Sequence, residues 1–476
     1  VRGAALEGDD DEVIGMVVDQ GGKDGVLVPF FGKRASMSVG AIRMGLKWKI
    51  PICFSVIHRD GSGHHRMIIH KPLQLIDTGN ANTDLGANLS RVTKFMEEYI
   101  CRFPCEYMWF YKIWKYSDEA DITIVGDDKM GHLRQAQAVA DRLKTALSEK
   151  GVRARIRVIS VVFKTQWRRK FFSLISLLLA SPVFNVWIWK IFQWFLTKES
   201  FAQIIKDKSD FIVSCGSSVA GAADFLARDH QAKSIVILKP GPLGYGRFDL
   251  VILPQHESHG KVCPNQRILL TQAAPNLISQ QYQDEQAALL LKQYSHLKTN
   301  VRMKIGLFLG GNSKDVFVSE DQIKVLIHQM TEAAHGIKAD ILATTSRRTP
   351  PAIEQLLYRR LKKHPNCPLL IVENHESVPA AVGGIMGISD ILVVSGDSIS
   401  MISEAASSGK NTIVFTPQIR PGTLRRFNKH QQFIEKLNAQ GFILSVDAQN
   451  IGRTIYDVAK NKIQTKKLDD NQMILE

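Results

Sequence analysis

From residue 390 to residue 416 the chain reads Asp390-Ile-Leu-Val-Val-Ser-Gly-Asp-Ser-Ile-Ser-Met-Ile-Ser-Glu-Ala-Ala-Ser-Ser-Gly-Lys-Asn-Thr-Ile-Val-Phe-Thr416. Residues 391–394 form a short apolar run without alternation, which is typical of a strand buried on both faces. A turn follows at 395–398, helical spacing at 399–408, and a second apolar run at 412–415. The segment therefore predicts a strand-turn-helix-strand unit of a parallel sheet.

The turn at Gly396, Asp397 and Ser398 lies where the predicted strand ends and the helix begins. Unpaired backbone N–H groups and the helix dipole favour a phosphate group at such a position. Glu404 follows about one and a half turns into the helix, within reach of a ribose whose diphosphate lies at the turn. We therefore predict a nucleotide-diphosphate site; the alternative is an ordinary helix cap with Glu404 at the surface.

Two further loops follow predicted strands of the same sheet. Strand 305–309 leads into Gly310, Gly311, Asn312 and Ser313, and strand 340–343 leads into Ser346, Arg347 and Arg348. Because the carboxyl ends of parallel strands share one edge of a sheet, the three loops should converge on one ligand. Glycines would allow close backbone approach to phosphate, and the arginines would neutralise its charge, so we expect no metal.

A second parallel sheet is predicted upstream, because strands and helices alternate from residue 121 to residue 271. Its first strand, 122–125, runs into a glycine-containing turn and a helix. This turn is not a dinucleotide fingerprint, since the Gly-x-Gly-x-x-Gly spacing and the later acidic residue are missing. Asp128 and His132 lie here and are our candidates for a general base that activates an acceptor hydroxyl. A plain helix cap is the alternative.

The segment 168–196 is apolar and aromatic, but Pro182, Asn185 and Lys190 interrupt it. A lysine in mid-bilayer would be costly, which disfavours a membrane-spanning helix. Residues that suit the headgroup region of a membrane are Arg168, Arg169, Lys170, Trp187, Trp189 and Trp194. We predict two short amphipathic helices that contact an anionic membrane surface, with a pair of buried core helices as the alternative.

The composition indicates a folded protein with anionic partners. The 476 residues are 45% hydrophobic, and the formal net charge is +15. No RNA or DNA motif is present, so phosphorylated ligands and a membrane surface are expected and nucleic acid is not. The six cysteines form no CxxC pair or metal spacing, which fits a reducing cytosol. The chain begins at Val1 without a methionine, and we expect it to be a fragment.

The segment 390–416 resembles the donor site of two-domain glycosyltransferases of the GT-B type, in which a glutamate of this helix holds the nucleotide ribose. It is most similar to the elongated-mitochondria (mitochondrial fission protein-like) family, which shares the run Ser-Gly-Asp-Ser-x-Ser-Met-x-Ser-Glu-Ala. That family's Asp-x-x-x-Gly-His motif is matched by Asp127, Gly131 and His132, and its Ser-Arg-Arg-Thr-Pro by residues 346–350. The resemblance implies a nucleotide-sugar substrate, no further cofactor, and an acceptor in the first domain.

Four short motifs near the amino terminus resemble, in order, the carboxyl half of the lipid A late acyltransferases (the lauroyl/myristoyl acyltransferase family). They are Val18-Asp19-Gln20, Val28-Pro29-Phe30-Phe31-Gly32-Lys33, Lys71-Pro72-Leu73 and the run from Pro104 to Lys115. The catalytic His-x4-Asp/Glu pair of that family is expected upstream of Val1. The resemblance thus implies half of an acyltransferase, and we expect this half to be inert without the missing residues.

Taken together, these features predict an α/β protein with two Rossmann-like domains of GT-B type, preceded by a partial α/β acyltransferase domain. The expected domains are 1–117 (acyltransferase-like), 118–275 (acceptor domain with helices at 168–196), 276–300 (helical connector) and 301–476 (donor domain). We expect sugar transfer from a nucleotide-sugar to a lipid-linked acceptor in lipid A or lipopolysaccharide assembly, by a peripheral protein at the cytoplasmic face of the inner membrane. The alternatives are a non-catalytic adaptor of the mitochondrial-fission type at a membrane surface, and lipid A acyl transfer if the missing residues are restored.

Overall fold

A computed structural model describes residues 13–178, 185–206, 208–258, 267–298, 301–312, 316–420 and 429–470. The chain divides into two compact units. The first joins Val1–Ala120 with Leu147–Arg155, and the second joins Asp121–Ala146 with Ile156–Glu476.

In its described part, from residue 13 onward, the first unit contains two antiparallel hairpins and two α-helices. Its elements are β1 (Val26–Phe30), β2 (Lys33–Met37), α1 (Gly40–Trp48), β3 (Ser55–Arg59), β4 (His65–Ile69) and α2 (Ala81–Arg102). Strands β3 and β4 pair antiparallel, with Ser55 opposite Ile69 and Arg59 opposite His65. Helix α2 begins at Ala81, because the Asn80 side chain accepts a hydrogen bond from the Thr83 N–H and caps the helix there.

The first sheet of the second unit has six strands in the order β10-β9-β8-β7-β5-β6. Its elements are β5 (Glu119–Gly126), α3 (Met130–Glu149), β6 (Arg153–Ser160), α4 (Gln166–Leu178), α5 (Asn185–Phe195), α6 (Lys198–Lys206), β7 (Phe211–Cys215), α7 (Ser217–His230), β8 (Lys233–Ile237), β9 (Leu250–Pro254), α8 (Gln255–Ser258) and β10 (Ile268–Thr271). The strand order reverses between β5 and β7, which pair in parallel. Ligands bind to open parallel sheets at such a reversal, beyond the carboxyl ends of the strands.

The second sheet also has six strands, in the order β14-β13-β11-β15-β16-β18. Its elements, with the connecting helix α9, are α9 (Gln280–Gln293), β11 (Lys304–Leu309), β12 (Val316–Phe317), α10 (Glu320–Gly336), β13 (Asp340–Thr345), α11 (Pro351–Leu361), β14 (Leu369–Ile371), α12 (Ala381–Ile388), β15 (Ile391–Ser395), α13 (Ile399–Ser407), β16 (Asn411–Phe415), β17 (Gln418–Ile419), α14 (Lys429–Ala439), β18 (Leu444–Val446) and α15 (Ile451–Ala459). In chain order the six strands run 3-2-1-4-5-6, the doubly wound order of dinucleotide-binding folds. Every residue of β15 is buried, as its unbroken apolar run predicted. The α/β class with two parallel sheets is confirmed.

Helix α9 connects the two sheets and packs on α12 through glycines. A Cβ atom added to Gly384 would lie 2.6 Å from the Leu290 Cβ, and one added to Gly387 would lie 2.6 Å from the Gln283 carbonyl oxygen. Only glycine therefore allows the two helices to approach this closely. Ser279 caps α9 by accepting a hydrogen bond from the Tyr282 N–H.

The segment 168–196 contributes two helices, as predicted, but one face of the pair is buried. Phe172 and Phe192 are fully buried, with ring centroids 5.0 Å apart. Trp189 packs against Phe225 of α7, with ring centroids 5.3 Å apart. This contact leaves Trp189 partly buried, so its contribution to a membrane surface stays a prediction.

Trp194 differs from Trp189, since 47% of it is exposed. The side chains of Trp187 and Lys170 lie outside the described residues. Among the described residues, no helix has the length and apolar character needed to cross a bilayer. The α4–α5 pair thus combines a core face with an exposed face.

Candidate functional site

The loops after β11 and β15 meet at the point where the strand order of the second sheet reverses. The Gly310 N–H donates to Ser395 Oγ at 2.6 Å, and the Gly311 N–H donates to Asp397 Oδ2 at 2.8 Å. Ser313, which was predicted to belong to this site, lies outside the described residues. The two loops are held together by hydrogen bonds at the edge where a ligand is expected.

The Asp397 side chain connects the loops at this edge of the sheet. Its side chain is 1% exposed, and its carboxylate accepts hydrogen bonds from Ser395 Oγ at 2.6 Å and Arg348 Nη2 at 3.2 Å besides the Gly311 N–H. Burial raises the pKa of Asp397, although these hydrogen bonds and the Arg348 charge oppose the rise. The carboxylate therefore joins all three predicted loops from within, instead of projecting toward a ligand.

The glycines of this edge allow its loops to pack closely. A Cβ at Gly310 would lie 2.2 Å from Asp397 Oδ2, and one at Gly311 would lie 1.9 Å from the Arg348 carbonyl oxygen. At Gly396 a Cβ would meet Pro417 Cδ at 2.7 Å. The sequence suggested that Gly310 and Gly311 approach a phosphate, but their N–H groups donate within the protein and the space beside them is filled.

The remaining predicted residues differ in exposure. Asn312 and Arg347 are exposed at the same edge of the sheet. The Ser346 Oγ accepts a hydrogen bond from the Arg348 N–H at 3.2 Å, and the Ser398 side chain caps α13 through the Met401 N–H. Arg347 and the amino-terminal end of α13 are therefore the groups placed to meet an anion.

Glu404 is nearly buried in α13 and faces the first sheet. It is 8% exposed, and its Oε1 atom lies 3.4 Å from Nη1 of Arg134 in α3. Burial raises the pKa of Glu404, and the Arg134 charge opposes this rise. Burial also raises the pKa of the neighbouring Tyr282 phenol, while Arg134, which hydrogen-bonds it, acts in the opposite direction.

Arg134 and Tyr282 were not predicted as site residues. Arg134 is separated from Glu404 by 270 positions, and Tyr282 belongs to the connecting helix α9. No local spacing links these three residues. Only the packing of α3, α9 and α13 brings them together.

A second polar cluster lies where the strand order of the first sheet reverses. Asp127 Oδ2 accepts a hydrogen bond from Ser218 Oγ at 2.6 Å and lies 3.2 Å from Nδ1 of His132. Gly216, with φ +81°, leaves room for the imidazole, because a Cβ there would lie 2.7 Å from His132 Cε1. Asp128, our other predicted residue, is exposed. The carboxylate that orients His132 is therefore Asp127 and not its neighbour.

Asp127 should make the folded protein sensitive to acid. Burial opposes its ionisation, but the hydrogen bonds from His132 and Ser218 outweigh burial and lower its pKa to about 2. A carboxyl group whose pKa is lower in the folded state stabilises the fold above its unfolded pKa and loses that contribution as the pH falls toward the folded pKa. We expect about 2 kcal/mol of the free energy of unfolding to be lost from this group between about pH 4 and pH 2.

Urea denaturation of the parent and of Asp127→Asn across this pH range measures the effect. The Asn variant should be less stable than the parent at pH 5 and should approach it at pH 2. Asp128→Asn, the same change at the exposed neighbour, is the control. Parallel stability curves for Asp127→Asn and the parent would contradict the expectation.

Most of the second unit lies within a region that matches a known family. Residues 130–474 match the family model described as mitochondrial fission ELM1. The chain belongs to the mitochondrial fission ELM1 family. Residues 7–116 match the model described as bacterial lipid A biosynthesis acyltransferase, so both predicted resemblances are confirmed. The ELM1 match begins at α3, so it contains His132, Ser218 and the second sheet, whereas β5 and Asp127 precede it.

The ELM1 chain is also similar to individual proteins. It is 26% identical over 276 residues to the uncharacterized protein RP120 of Rickettsia prowazekii (strain Madrid E), covering 51% of this chain and 74% of that protein. A UDP-GlcNAc 2-epimerase from Neisseria meningitidis, bound to UDP-GlcNAc, has a TM-score of 0.42 at 14% identity, covering 75% of this chain and 96% of the other. ADP-heptose LPS heptosyltransferase II from E. coli has a TM-score of 0.42 at 12% identity, covering 72% and 99%. At these TM-scores both structures are distant, and the fold class rests on the strand order of this chain.

Proposed function

We propose that this ELM1-family protein transfers a sugar from a nucleotide-sugar to a lipid-linked acceptor. The observation that carries the proposal is the meeting of α3 and α13. Arg134 of α3 pairs with Glu404 of α13, and a Cβ at Gly131 would lie 4.0 Å from Ser400 Oγ. The helix that bears His132 therefore begins beside the helix that bears the predicted ribose ligand.

The proposed binding site for the nucleotide-sugar donor consists of Glu404, Arg347 and the amino-terminal end of α13. An ionised carboxylate has about four acceptor positions, so its pairing with Arg134 leaves capacity for two ribose hydroxyls. The diphosphate would lie at the amino-terminal end of α13, where the helix dipole and Arg347 stabilise negative charge. These groups can also stabilise the charge that develops on the leaving nucleoside diphosphate.

In the proposed reaction, His132 is the general base that activates the acceptor hydroxyl. Because Asp127 accepts the hydrogen bond from Nδ1, the neutral imidazole keeps its lone pair on Nε2. Nε2 would take the proton of the acceptor hydroxyl while the oxygen bonds to the anomeric carbon of the sugar. The bond from that carbon to the diphosphate breaks, and the nucleoside diphosphate leaves with the bonding electrons.

The proposed acceptor and location follow from two further features. The exposed aromatic residues of α4 and α5 suit a membrane surface, which fits a net charge of +15. The segment 7–116 matches a lipid A biosynthesis family, which suggests an acceptor from lipid A or lipopolysaccharide assembly. We therefore place the protein peripherally at the cytoplasmic face of the inner membrane.

Nucleotide binding tests the proposal most directly. Glu404→Gln keeps the size of the side chain but removes the charge that strengthens hydrogen bonds from ribose, so nucleoside diphosphates should bind about 5- to 30-fold more weakly. Arg347→Ala should weaken binding of nucleoside diphosphates more than binding of the bare nucleosides, because only the diphosphates carry charge. Titration calorimetry with a panel of nucleoside diphosphates and nucleotide-sugars measures both effects.

Two matched controls accompany these variants. Glu332→Gln and Arg360→Ala make the same chemical changes at exposed positions on α10 and α11. Both should bind nucleotides as the parent does. If the parent binds no nucleotide at millimolar concentration, the transferase proposal fails and the non-catalytic adaptor takes its place. If Glu404→Gln and Arg347→Ala bind as well as the parent, the nucleotide site lies elsewhere.

The exposed aromatic residues should contribute to membrane binding. Trp167 and Trp194 are about half exposed, and their ring centroids are 5.7 Å apart. We expect the protein to sediment with anionic liposomes and to be released by salt, and we expect Trp167→Ser with Trp194→Ser to reduce the bound fraction severalfold. Tyr358→Ser, at an exposed aromatic residue of α11, is the control. Equal sedimentation of the double variant and the control would exclude a membrane role for this surface.

A further inference from the structure

A cleft of about 410 Å³ opens beside the Asp127 cluster. It lies at the carboxyl ends of β5 and β6, and Asp127 and Asp128 contribute to its lining. Lys164 and Arg169 also line it. The cleft therefore places two cations in the same space as the carboxylate that orients the candidate base.

The cationic part of the cleft belongs to the start of α4. Thr165 and Gln166 line the cleft, and the 13-residue helix begins at Gln166. The position of Lys164 is fixed, since its Nζ atom donates to the Gln193 carbonyl oxygen at 2.9 Å. A lysine, an arginine and a helix amino terminus at one place favour an anionic group with several acceptor oxygens.

An apolar surface continues from the same helical turn. Trp167, Phe171 and Trp194 are 54%, 44% and 47% exposed, and we call them the aromatic patch. The Arg168 guanidinium lies 4.4 Å from the Trp194 ring centroid and 5.6 Å from that of Trp167. Because Gln166 and Arg169 line the cleft while Trp167 belongs to the patch, the two surfaces share the first turn of α4.

We propose that the cleft binds the phosphate-bearing headgroup of an anionic lipid, whose acyl chain lies on the aromatic patch. Arg169 and Lys164 would hold the phosphate, and a headgroup hydroxyl would extend toward Asp127 and His132. A free phosphate ion meets the cations but leaves the patch uncovered, whereas a neutral lipid covers the patch but brings no net negative charge to the cations. The role of this lipid as sugar acceptor rests on the proposed function, but its binding does not.

Titration calorimetry of the whole chain with three soluble probes tests this proposal. The probes are dihexanoyl phosphatidic acid, dihexanoyl phosphatidylcholine and inorganic phosphate. Phosphatidic acid should bind at least about tenfold more tightly than either of the others, because it alone matches both the cations and the patch. Arg169→Gln should weaken its binding at least about fivefold through loss of a charge-assisted hydrogen bond. Phe171→Ser should weaken phosphatidic acid binding but not phosphate binding.

Arg360→Gln, the same change on exposed α11, is the matched control and should leave every affinity unchanged. Equal binding of phosphatidic acid and phosphatidylcholine would overturn the proposal, as would equal losses in Arg169→Gln and Arg360→Gln. The nucleotide titration described above is performed on the same samples. If nucleotides bind but phosphatidic acid does not, the proposed lipid site is excluded and the transferase proposal is retained. If phosphatidic acid binds but nucleotides do not, the lipid site is retained and the transferase proposal is excluded.

Discussion

Replacing His132 by glutamine should lower the rate of sugar transfer about 100- to 10,000-fold, the contribution that a positioned general base usually makes. Glutamine keeps a polar side chain of similar reach but cannot accept the proton of an acceptor hydroxyl. The affinity for nucleoside diphosphate should stay unchanged, because the recorded side-chain hydrogen bond of His132 is to Asp127 and not to a donor-site residue of α13. The loss should therefore fall on kcat and not on nucleotide binding.

The measurement is release of nucleoside diphosphate from nucleotide-sugars in the presence of an extract of bacterial lipids. His328→Gln, at an exposed histidine of α10, is the control and should retain the parental rate. Asp127→Asn should also be slow, because the amide cannot hold Nδ1–H in the productive tautomer. A parental rate for His132→Gln would exclude this residue as the base, and Asp128, which lines the adjacent cleft, would be tested next.

Asp397→Ala should destabilise the protein by about 3 kcal/mol or more. The change leaves the buried Gly311 N–H and the Ser395 hydroxyl without their acceptor, at about 1–3 kcal/mol for each group. It also releases Arg348, which then becomes solvated. The loops after β11, β13 and β15 should loosen together, so nucleotide affinity should fall as well.

Urea denaturation at neutral pH measures this effect. Asp321→Ala, at an exposed carboxylate on α10, is the control and should change stability by less than about 0.5 kcal/mol. The destabilisation caused by Asp397→Asn should be smaller than that of Asp397→Ala and larger than that of Asp321→Ala, since the amide oxygen can still accept one hydrogen bond. If Asp397→Ala lowers the free energy of unfolding by less than about 1 kcal/mol, the three loops do not depend on this carboxylate.

The two sheets were predictable because their strands are short apolar runs that end at turn residues. A strand that is buried on both faces needs apolar residues at every position, so its location can be recognised in the sequence as an unbroken apolar run. Trp189 and Trp194 look alike in sequence, but the contact with Phe225 of α7 makes Trp189 partly buried, while Trp194 is exposed.

The candidate site was predictable only where its residues are neighbours in the chain. Gly396, Asp397 and Ser398 follow one strand, and their location was correct, but the inward direction of the Asp397 side chain depends on Gly311 and Arg348 from other loops. Asp127 and Asp128 are adjacent, so spacing could not decide which of them orients His132. Arg134 could not be found at all, because its partner lies 270 positions away.

The pair between Arg134 and Glu404 gives the protein a form of thermodynamic coupling. Any movement that separates α3 from α13 must break this ion pair, so the free energy of opening includes its strength. A ligand that binds the Glu404 carboxylate therefore shifts the equilibrium between the closed and open forms. By thermodynamic reciprocity, the closed and open forms differ in their affinity for that ligand by the same factor. In the proposed transferase, binding of the donor to Glu404 would thereby be linked to the separation of α3 and α13 through a single side chain.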